Sequence, residues 1–296
     1  MRKLLYTLAA AIALAACQKD NVETPDFEVS TASLTYKAGD SVLFSFKGNP
    51  DNITFYSGEP GHNFEFRKRT RAANDLQVEF STLVRSGVIY PNLQLMVSNN
   101  FNGKATVGDV QAATWTDISD RAVFSSGADN TPSGVISLKE FTPQQSDSAR
   151  VYVAFRYTDT KKPQGQNLWA VRTFSAKNVS DDGVISPLAV MSTGGWQQVD
   201  FLNPVRVWTI TSAQLLMQNS SATVDDNEDW VISKGFNPWQ IAPDVGTALK
   251  NISTRLDGHR YVYTKPGTYK VVFEASAVRY NGEKRLTREI NLTITP

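Results

Sequence analysis

Residues that could carry out catalysis are scarce in this chain. Its 296 residues include two histidines, His62 and His259, and a single cysteine, Cys17. The sequence contains no Gly-x-Ser-x-Gly elbow, no His-Glu-x-x-His pair and no phosphate-binding loop. A serine–histidine–aspartate triad assembles in space, and a glycosidase needs only two carboxylates, so an enzyme stays open as an alternative. Because each histidine stands beside a turn glycine, we predict loop positions for both and a protein without catalytic activity.

A dense acidic run could bind a metal ion. Asp225, Asp226 and Glu228 lie within six residues that end at Trp230. Hard oxygen ligands are those that Ca²⁺ prefers. These three residues are therefore the predicted metal ligands for a possible structural calcium ion, and no other cofactor is expected. The spacing differs from that of an EF-hand loop, and the alternative is a solvated acidic loop.

Two of the six tryptophans stand in loops that would leave their rings exposed. Trp196 follows a Thr-Gly-Gly segment, and Trp239 follows Asn-Pro. An exposed indole can stack on the apolar face of a sugar while a few polar groups fix the orientation of the sugar. The alternative is that both rings pack in the core. The predicted ligand-binding residues are Trp196, Trp239, Arg156 and Gln198.

The N-terminus has the pattern of a bacterial lipoprotein signal. Arg2 and Lys3 precede the apolar run Leu4–Leu14, which is too short to span a membrane. The following Ala-Ala-Cys completes a lipobox, and the only cysteine of the chain occupies the position that is lipidated. We predict cleavage after residue 16, lipidation of Cys17 and anchoring in the outer membrane with cell-surface exposure. The alternative is a plain signal peptide.

Composition restricts the partners. Thirty basic and 29 acidic residues give a net charge of +1, and the basic residues are dispersed. This distribution excludes the basic patch that nucleic-acid binding requires, and it leaves a lipid anchor as the expected membrane contact. One cysteine cannot form an intrachain disulfide, so packing must stabilise the fold.

Short alternating runs predict β-strands along the whole chain. Ser41–Lys47 alternates strictly, and Arg150–Tyr157 is expected to be a central strand buried on both faces. Thr268–Ala277 follows Pro266-Gly267, which fits the centre of a type II turn. Because the C-terminal strands cannot close a core alone, we expect them to pack with Phe27–Arg69. Three tryptophans lie in apolar strand runs and are predicted core residues: Trp169, Trp208 and Trp230.

The sequence resembles known extracellular modules. YTKPGTYKVVFEASA resembles the closing half of a polycystic-kidney-disease-type (PKD) immunoglobulin-like domain, and Tyr36–Glu59 resembles its opening half. The Trp-Asp-Phe-Gly-Asp-Gly turn of that domain is replaced by FYSGEPG. Leu93–Ile118, Val151–Asp159 and Leu168–Phe174 are similar to segments of galactose-binding-like jelly rolls. Together these features resemble a family of Bacteroidota lipoproteins of unknown function, often encoded near glycan-utilisation loci.

The resemblance implies an all-β architecture in which a PKD-like sandwich is split by an inserted jelly roll. The expected segments are a signal peptide (1–16), a tether (17–26), the first part of the PKD-like domain (27–72), the jelly roll (73–245) and the second part of the PKD-like domain (246–296). The implied function is glycan binding without catalysis. The alternative is an accessory or structural subunit that contacts the proteins of an outer-membrane uptake complex.

Overall fold

The structure, a computed structural model, describes residues 22–218 and 225–296. These residues form two compact units. Unit 1 comprises residues 22–68 and 243–296, and unit 2 comprises the described residues between 69 and 242. Unit 2 therefore interrupts the sequence of unit 1. The sequence predicts an inserted domain over residues 73–245, which begins and ends a few residues later than unit 2.

The described chain is almost entirely β-structure, which confirms the predicted all-β class. Unit 1 begins with β1 (Phe27–Thr31), β2 (Thr35–Lys37), β3 (Ser41–Gly48) and β4 (Asn52–Tyr56). Unit 2 contains β5 (Asn74–Arg85), β6 (Leu93–Ser98), β7 (Thr116–Asp117), β8 (Thr131–Pro132), β9 (Ile136–Ser137), β10 (Tyr152–Asp159), β11 (Leu168–Ser180), β12 (Ile185–Val190), β13 (Gln197–Leu202), β14 (Thr209–Ile210), β15 (Leu215–Met217) and β16 (Asn227–Ile232). Unit 1 resumes with β17 (Thr247–Lys250), β18 (Gly258–Val262), β19 (Gly267–Arg279) and β20 (Gly282–Thr295). Helical structure among these residues is limited to α1 (Val107–Ala112) and the 3₁₀ turns Phe64–Phe66, Ser119–Arg121, Lys139–Phe141 and Met191–Thr193.

Unit 1 packs two sheets around one core. One sheet has the order β1-β3-β18, and the other has the order β17-β4-β19-β20-β2. Alternation along β3 buries Val42, Phe44 and Phe46, as predicted. Phe44 meets Phe273 of β19 with ring centroids 5.1 Å apart. Strands from both sides of the insertion therefore line the same core.

The predicted type II turn at Pro266-Gly267 is wrong. Gly267 is already the first residue of β19, and it pairs with Ile294 of β20. Its φ lies outside the left-handed region that a type II turn requires at this position. Pairing between β19 and β20 keeps the chain extended at Gly267, where the Pro-Gly dipeptide alone favours a reversal of the chain direction.

Unit 2 also contains two sheets. One has the order β13-β16-β10-β6-β7, and the other has the order β14-β15-β11-β5-β8, with β9 on β5 and β12 on β11. Phe155 of β10 packs edge to face on Phe80 of β5 at 5.0 Å in the core between the sheets. As predicted, β10 is a central strand: Val153 and Phe155 face this core, while Ala154 faces a second apolar cluster on the outer side of its sheet.

The three tryptophans predicted to be core residues are buried. Trp169 and Trp208 lie in the core between the two sheets of unit 2. Trp230 lies in the outer cluster, where it packs beneath Trp115 and Phe201. The apolar strand pattern around each residue thus predicts its burial correctly.

Candidate functional site

The ring of Trp196 is packed rather than free. It lies half-buried, edge to face with Phe174 at 4.8 Å, and its Nε1 donates to the Met191 carbonyl at 3.1 Å. Gly194, two residues earlier, leaves room for the indole. A Cβ at this position would lie only 2.4 Å from Trp196 Nε1. The expectation of an exposed ring is therefore wrong. The two glycines let the indole fold back onto its own turn.

Trp239 is likewise half-buried. Its Nε1 donates to the Pro143 carbonyl at 3.0 Å, so the polar edge of the ring is already engaged. Its main-chain carbonyl accepts from Ala72. Trp239 thus joins distant segments of unit 2, and its ring is not the free platform that the loop position predicts.

The remaining two predicted ligand-binding residues lie on opposite faces of one sheet. Gln198 is exposed on the edge strand β13, opposite Val231, whose side chain faces the inner core. Arg156 on β10 stands opposite Gln94 and Trp230, and its side chain projects to the outer face. The structure therefore does not bring the four predicted residues together.

Arg156 instead organises a different group, which we call the Arg156 face: Gln94, Asp117, Arg156, Glu228 and Trp230. Arg156 Nε donates to Glu228 Oε1 at 2.9 Å, and Nη1 donates to Gln94 Oε1 at 3.2 Å. Gln94 Nε2 donates to Asp117 Oδ2 at 2.6 Å. The guanidinium lies 5.6 Å from the centre of the Trp230 ring, whose Nε1 donates to Glu228 Oε1. These contacts hold a partly exposed cation in one orientation.

An aromatic cluster borders the Arg156 face. Trp115 packs on Trp230 at 5.3 Å and on Phe101 at 5.3 Å, and its Nε1 donates to the Val110 carbonyl at the end of α1. Phe201 lies 5.9 Å from Trp230 on the other side. Trp115 and Phe201 keep part of their surface in solvent. Apolar rings and oriented polar groups thus share one side of the sheet.

Asp117 stays ionised at neutral pH. Burial acts to raise the pKa of this carboxyl, but hydrogen bonds from Ser119 and Gln94 and the charge of Arg156 outweigh burial and lower the pKa. Asp117 is thus a hydrogen-bond acceptor in this position and lacks a proton to donate.

The three predicted metal ligands do not converge. Lys161 Nζ lies 2.8 Å from Asp225 Oδ1, and the Lys161 amide donates to Asp226 Oδ1 at 2.8 Å. Glu228 pairs with Arg156. Within residues 22–218 and 225–296, no group of three or more His, Cys, Asp or Glu side chains could hold a metal ion. Asp225 and Asp226 line an open depression of about 620 Å³ together with Lys161 and Leu202.

Cross-strand pairing positions the residues of the Arg156 face that the sequence does not single out. Gln94 and Asp117 are unremarkable in the sequence, and they join Arg156 only through the register of β6, β7 and β10. The prediction that Trp230 is a core residue is correct. Its indole Nε1 also donates a hydrogen bond to Glu228 on the outer face of the sheet. The alternation of Gln94 with buried Leu93 and Leu95 was the available signal.

Cys17, the predicted lipidation site, lies outside the described residues. Among the residues that are described, no helix has the length and apolar character needed to cross a membrane.

The fold and the site define an all-β protein with a polar and aromatic sheet face. The chain belongs to the family described as a domain of unknown function (DUF5017), whose sequence pattern matches residues 16–196, more than half of the chain. This match includes Gln94, Asp117 and Arg156, and it ends before Glu228 and Trp230. No curated protein matches the chain.

Proposed function

We propose that this chain is a lipid-anchored outer-membrane protein of a Bacteroidota cell surface that binds extracellular glycan without catalysis. Its PKD-like domain is unit 1, and its galactose-binding-like jelly roll is unit 2. The observation that carries the binding function is the Arg156 face, where a fixed guanidinium, an amide and two carboxylates lie beside partly exposed rings. The lipobox at Cys17 supports the anchoring.

The chemistry of the Arg156 face suits a sugar. Sugar hydroxyls accept hydrogen bonds from a guanidinium and donate them to carboxylates, while the C–H face of a sugar ring packs on an aromatic side chain. Arg156 keeps 31% of its side chain exposed although Glu228 and Gln94 hold it in place. A preorganised donor of this kind loses little conformational entropy on binding.

The absence of catalysis is proposed from the state of the carboxyl groups. A general acid in a glycosidase needs a raised pKa and contact with the substrate. In the described part of the chain, Asp229 is the carboxyl group with a raised pKa, and it is fully buried. Asp117 on the Arg156 face has a lowered pKa.

A glycan array tests the proposal. The chain from residue 18 to 296 is screened as wild type, Arg156→Ala and Arg172→Ala. Arg172 is the matched control, since it lies on β11 in the other sheet of unit 2, keeps 30% of its side chain exposed and pairs with Asp129. We expect binding to be lost in Arg156→Ala and kept in Arg172→Ala, with both variants folded by circular dichroism. Equal binding by both variants, or no binding by the wild type, would overturn the proposal.

A second function is favoured by the packing of Trp196 and Trp239. Both rings are half-buried, which is typical of a scaffold rather than of a sugar platform. In this alternative the protein is an accessory subunit of an outer-membrane uptake complex. Co-purification of uptake proteins from outer-membrane extract, together with no glycan binding, would support it.

A further inference from the structure

The first described residues of the chain pack on one end of unit 1. Val22 lies beside the turn of the β19–β20 hairpin, where a Cβ on Gly282 would be 3.8 Å from Val22 Cγ2. Pro25 is buried. The main chain of Asp26 lies so close to the end of β3 that Gly48 has no room for a Cβ against the Asp26 carbonyl oxygen. Unit 1 therefore holds the chain from Val22 onward.

Four segments meet at this end of unit 1, which we call the hairpin end. Asp51 joins two of them, since its Oδ2 accepts hydrogen bonds from the Val278 amide at 2.6 Å and from Arg279 Nη1 at 2.8 Å. Lys250 Nζ donates to the Asp51 carbonyl at 3.4 Å, which brings the segment after β17 to the same place. The N-terminal segment and these loops together line a depression of about 430 Å³. The hairpin end comprises residues 22–26, 48–51, 251–257 and 278–285.

The number of residues before Val22 limits the distance between the hairpin end and a lipid on Cys17. Five peptide steps separate the two residues, and an extended chain covers at most about 3.6 Å per residue, which gives about 18 Å. The opposite end of unit 1 is much farther away, because β19 runs for 13 residues from Gly267 to Arg279 and spans about 40 Å. The hairpin end is therefore the part of unit 1 that an anchor at Cys17 holds next to the membrane.

The hairpin end presents an aromatic ring and aliphatic side chains to solvent. Tyr280 is 86% exposed, because it lies in the two-residue turn closed by the pair Arg279 and Gly282. Ile252 is 68% exposed and Val278 is 40% exposed. Single exposed apolar residues are ordinary on a protein surface. These three share the end that lies nearest to the anchor, and tyrosine is a residue enriched where a bilayer meets water.

The charges of the hairpin end indicate the kind of lipid. Arg279 pairs with Asp51 at 2.8 Å, and Arg285 pairs with Glu283 at 2.9 Å. Lys284 has no ion pair among the described residues. Attraction to anionic lipid takes a cluster of about 4–8 basic residues. The hairpin end lacks such a cluster in the described part of the chain, so it fits headgroups that carry both charges and no net charge.

We propose that the hairpin end of unit 1 lies on the surface of a zwitterionic lipid bilayer, with Tyr280 and Ile252 in contact with the headgroups. This inference rests on the proposed lipid anchor at Cys17, and it adds a second contact that orients unit 1. The contact can be weak, because the anchor already confines the hairpin end to a high effective concentration of lipid.

Hydrogen exchange on vesicles tests this contact. The chain from residue 17 to 296 is coupled through its single cysteine to maleimide-headgroup lipid in phosphatidylcholine vesicles, and the reference is the same chain coupled to soluble maleimide-polyethylene glycol. We expect the amides of residues 279–282 and 251–254 to exchange at least about threefold more slowly on vesicles. The amides of Thr264 and Lys265, at the opposite end, should be unchanged. Equal slowing at both ends, or none at the hairpin end, overturns the proposal.

Matched variants separate contact from mere proximity. The double variant Tyr280→Ser with Ile252→Ser should lose the slowing on vesicles. Val262→Ser is the control, since Val262 is 45% exposed and pairs with Ser41 at the opposite end of β3. It should keep the slowing at the hairpin end. If the double variant keeps it as well, Tyr280 and Ile252 do not contact the bilayer and the inference is wrong. If the double variant does not fold by circular dichroism, the comparison of the two ends in the wild type decides.

The anchor itself is measured separately. Mass spectrometry of the intact protein from its native cell shows whether Cys17 carries acyl chains. An unmodified Cys17 overturns the proposed anchor and, with it, this inference. A lipidated Cys17 combined with equal exchange at both ends of unit 1 overturns this inference alone.

Discussion

The rings of Phe44 and Phe273 pack edge to face with centroids 5.1 Å apart, although all of unit 2 lies between them in the chain. Both residues are fully buried. Phe55 of β4 contacts both rings, at 5.9 and 5.1 Å. The aromatic core of unit 1 is therefore complete only when the strands after the insertion join those before it.

Substitution at this contact should destabilise unit 1 selectively. Phe273→Ala is expected to lower its free energy of unfolding by about 3–5 kcal/mol, because it leaves a cavity in a packed aromatic core. A double-mutant cycle with Phe44→Ala should give a coupling energy of about 0.5–1.5 kcal/mol. Urea unfolding monitored by a probe in each unit measures both quantities. Equal destabilisation of both units by Phe273→Ala would contradict the prediction.

His259 should make unit 1 sensitive to acid. Its ring packs against Phe55 at 4.8 Å, its Nε2 has no partner among the described residues, and burial lowers the pKa of the imidazole. The unfolded chain then binds a proton more readily than the folded chain. This contribution to stability is complete above about pH 6.5, the ordinary histidine pKa, and is lost as the pH falls toward the folded pKa.

The slope of stability against pH tests this assignment. Between pH 6.5 and the folded pKa, His259 can contribute at most about 1.4 kcal/mol per pH unit. In His259→Phe, which keeps an aromatic ring but cannot be protonated, this part of the slope should disappear. Urea midpoints from pH 7.5 to 5.0 provide the measurement. A variant that follows the wild-type slope throughout would show that other groups cause the acid sensitivity.

The sequence predicts features that depend on local alternation. The burial of Phe44 and the central place of β10 follow from period-two patterns, because one face of each strand must be apolar. The Arg156 face depends on which strands are neighbours and in what register, which local patterns do not contain. Asp229 of β16 lies opposite Asp200 of β13 for the same reason, because this pairing depends on strand register. The inward direction of Asp229 is already indicated by the sequence, since Asp229 precedes the apolar Val231 by two residues in the same strand.

Buried and exposed acid–lysine pairs should differ sharply in their effect on stability. The side chain of Asp159 is 0% exposed and accepts from Lys162 Nζ at 2.5 Å and Tyr90 at 2.6 Å. Asp159→Asn should cost about 3–5 kcal/mol, because Lys162 loses its counter-charge in a buried place. The matched change Asp225→Asn removes the exposed pair with Lys161 and should cost at most about 1 kcal/mol. Equal urea midpoints for the two variants would refute this difference.

Gly194 should tolerate no side chain because the Trp196 indole occupies the space. Its φ of −66° suits alanine, so strain from the backbone is absent. A Cβ would nevertheless lie 2.4 Å from Trp196 Nε1, and Gly194→Ala must displace the ring from Phe174 and from the Met191 carbonyl. Overpacking of this kind costs about 1–3 kcal/mol.

Gly108 is the matched control for this substitution. It lies in α1 with nothing within 4 Å of an added Cβ, so Gly108→Ala should be neutral or stabilise by up to about 1 kcal/mol. Tryptophan fluorescence together with thermal unfolding compares the two variants. If Gly194→Ala unfolds at the wild-type temperature with an unchanged spectrum, the indole does not pack on this glycine. Trp196 would then be available as the exposed platform that its loop position predicts.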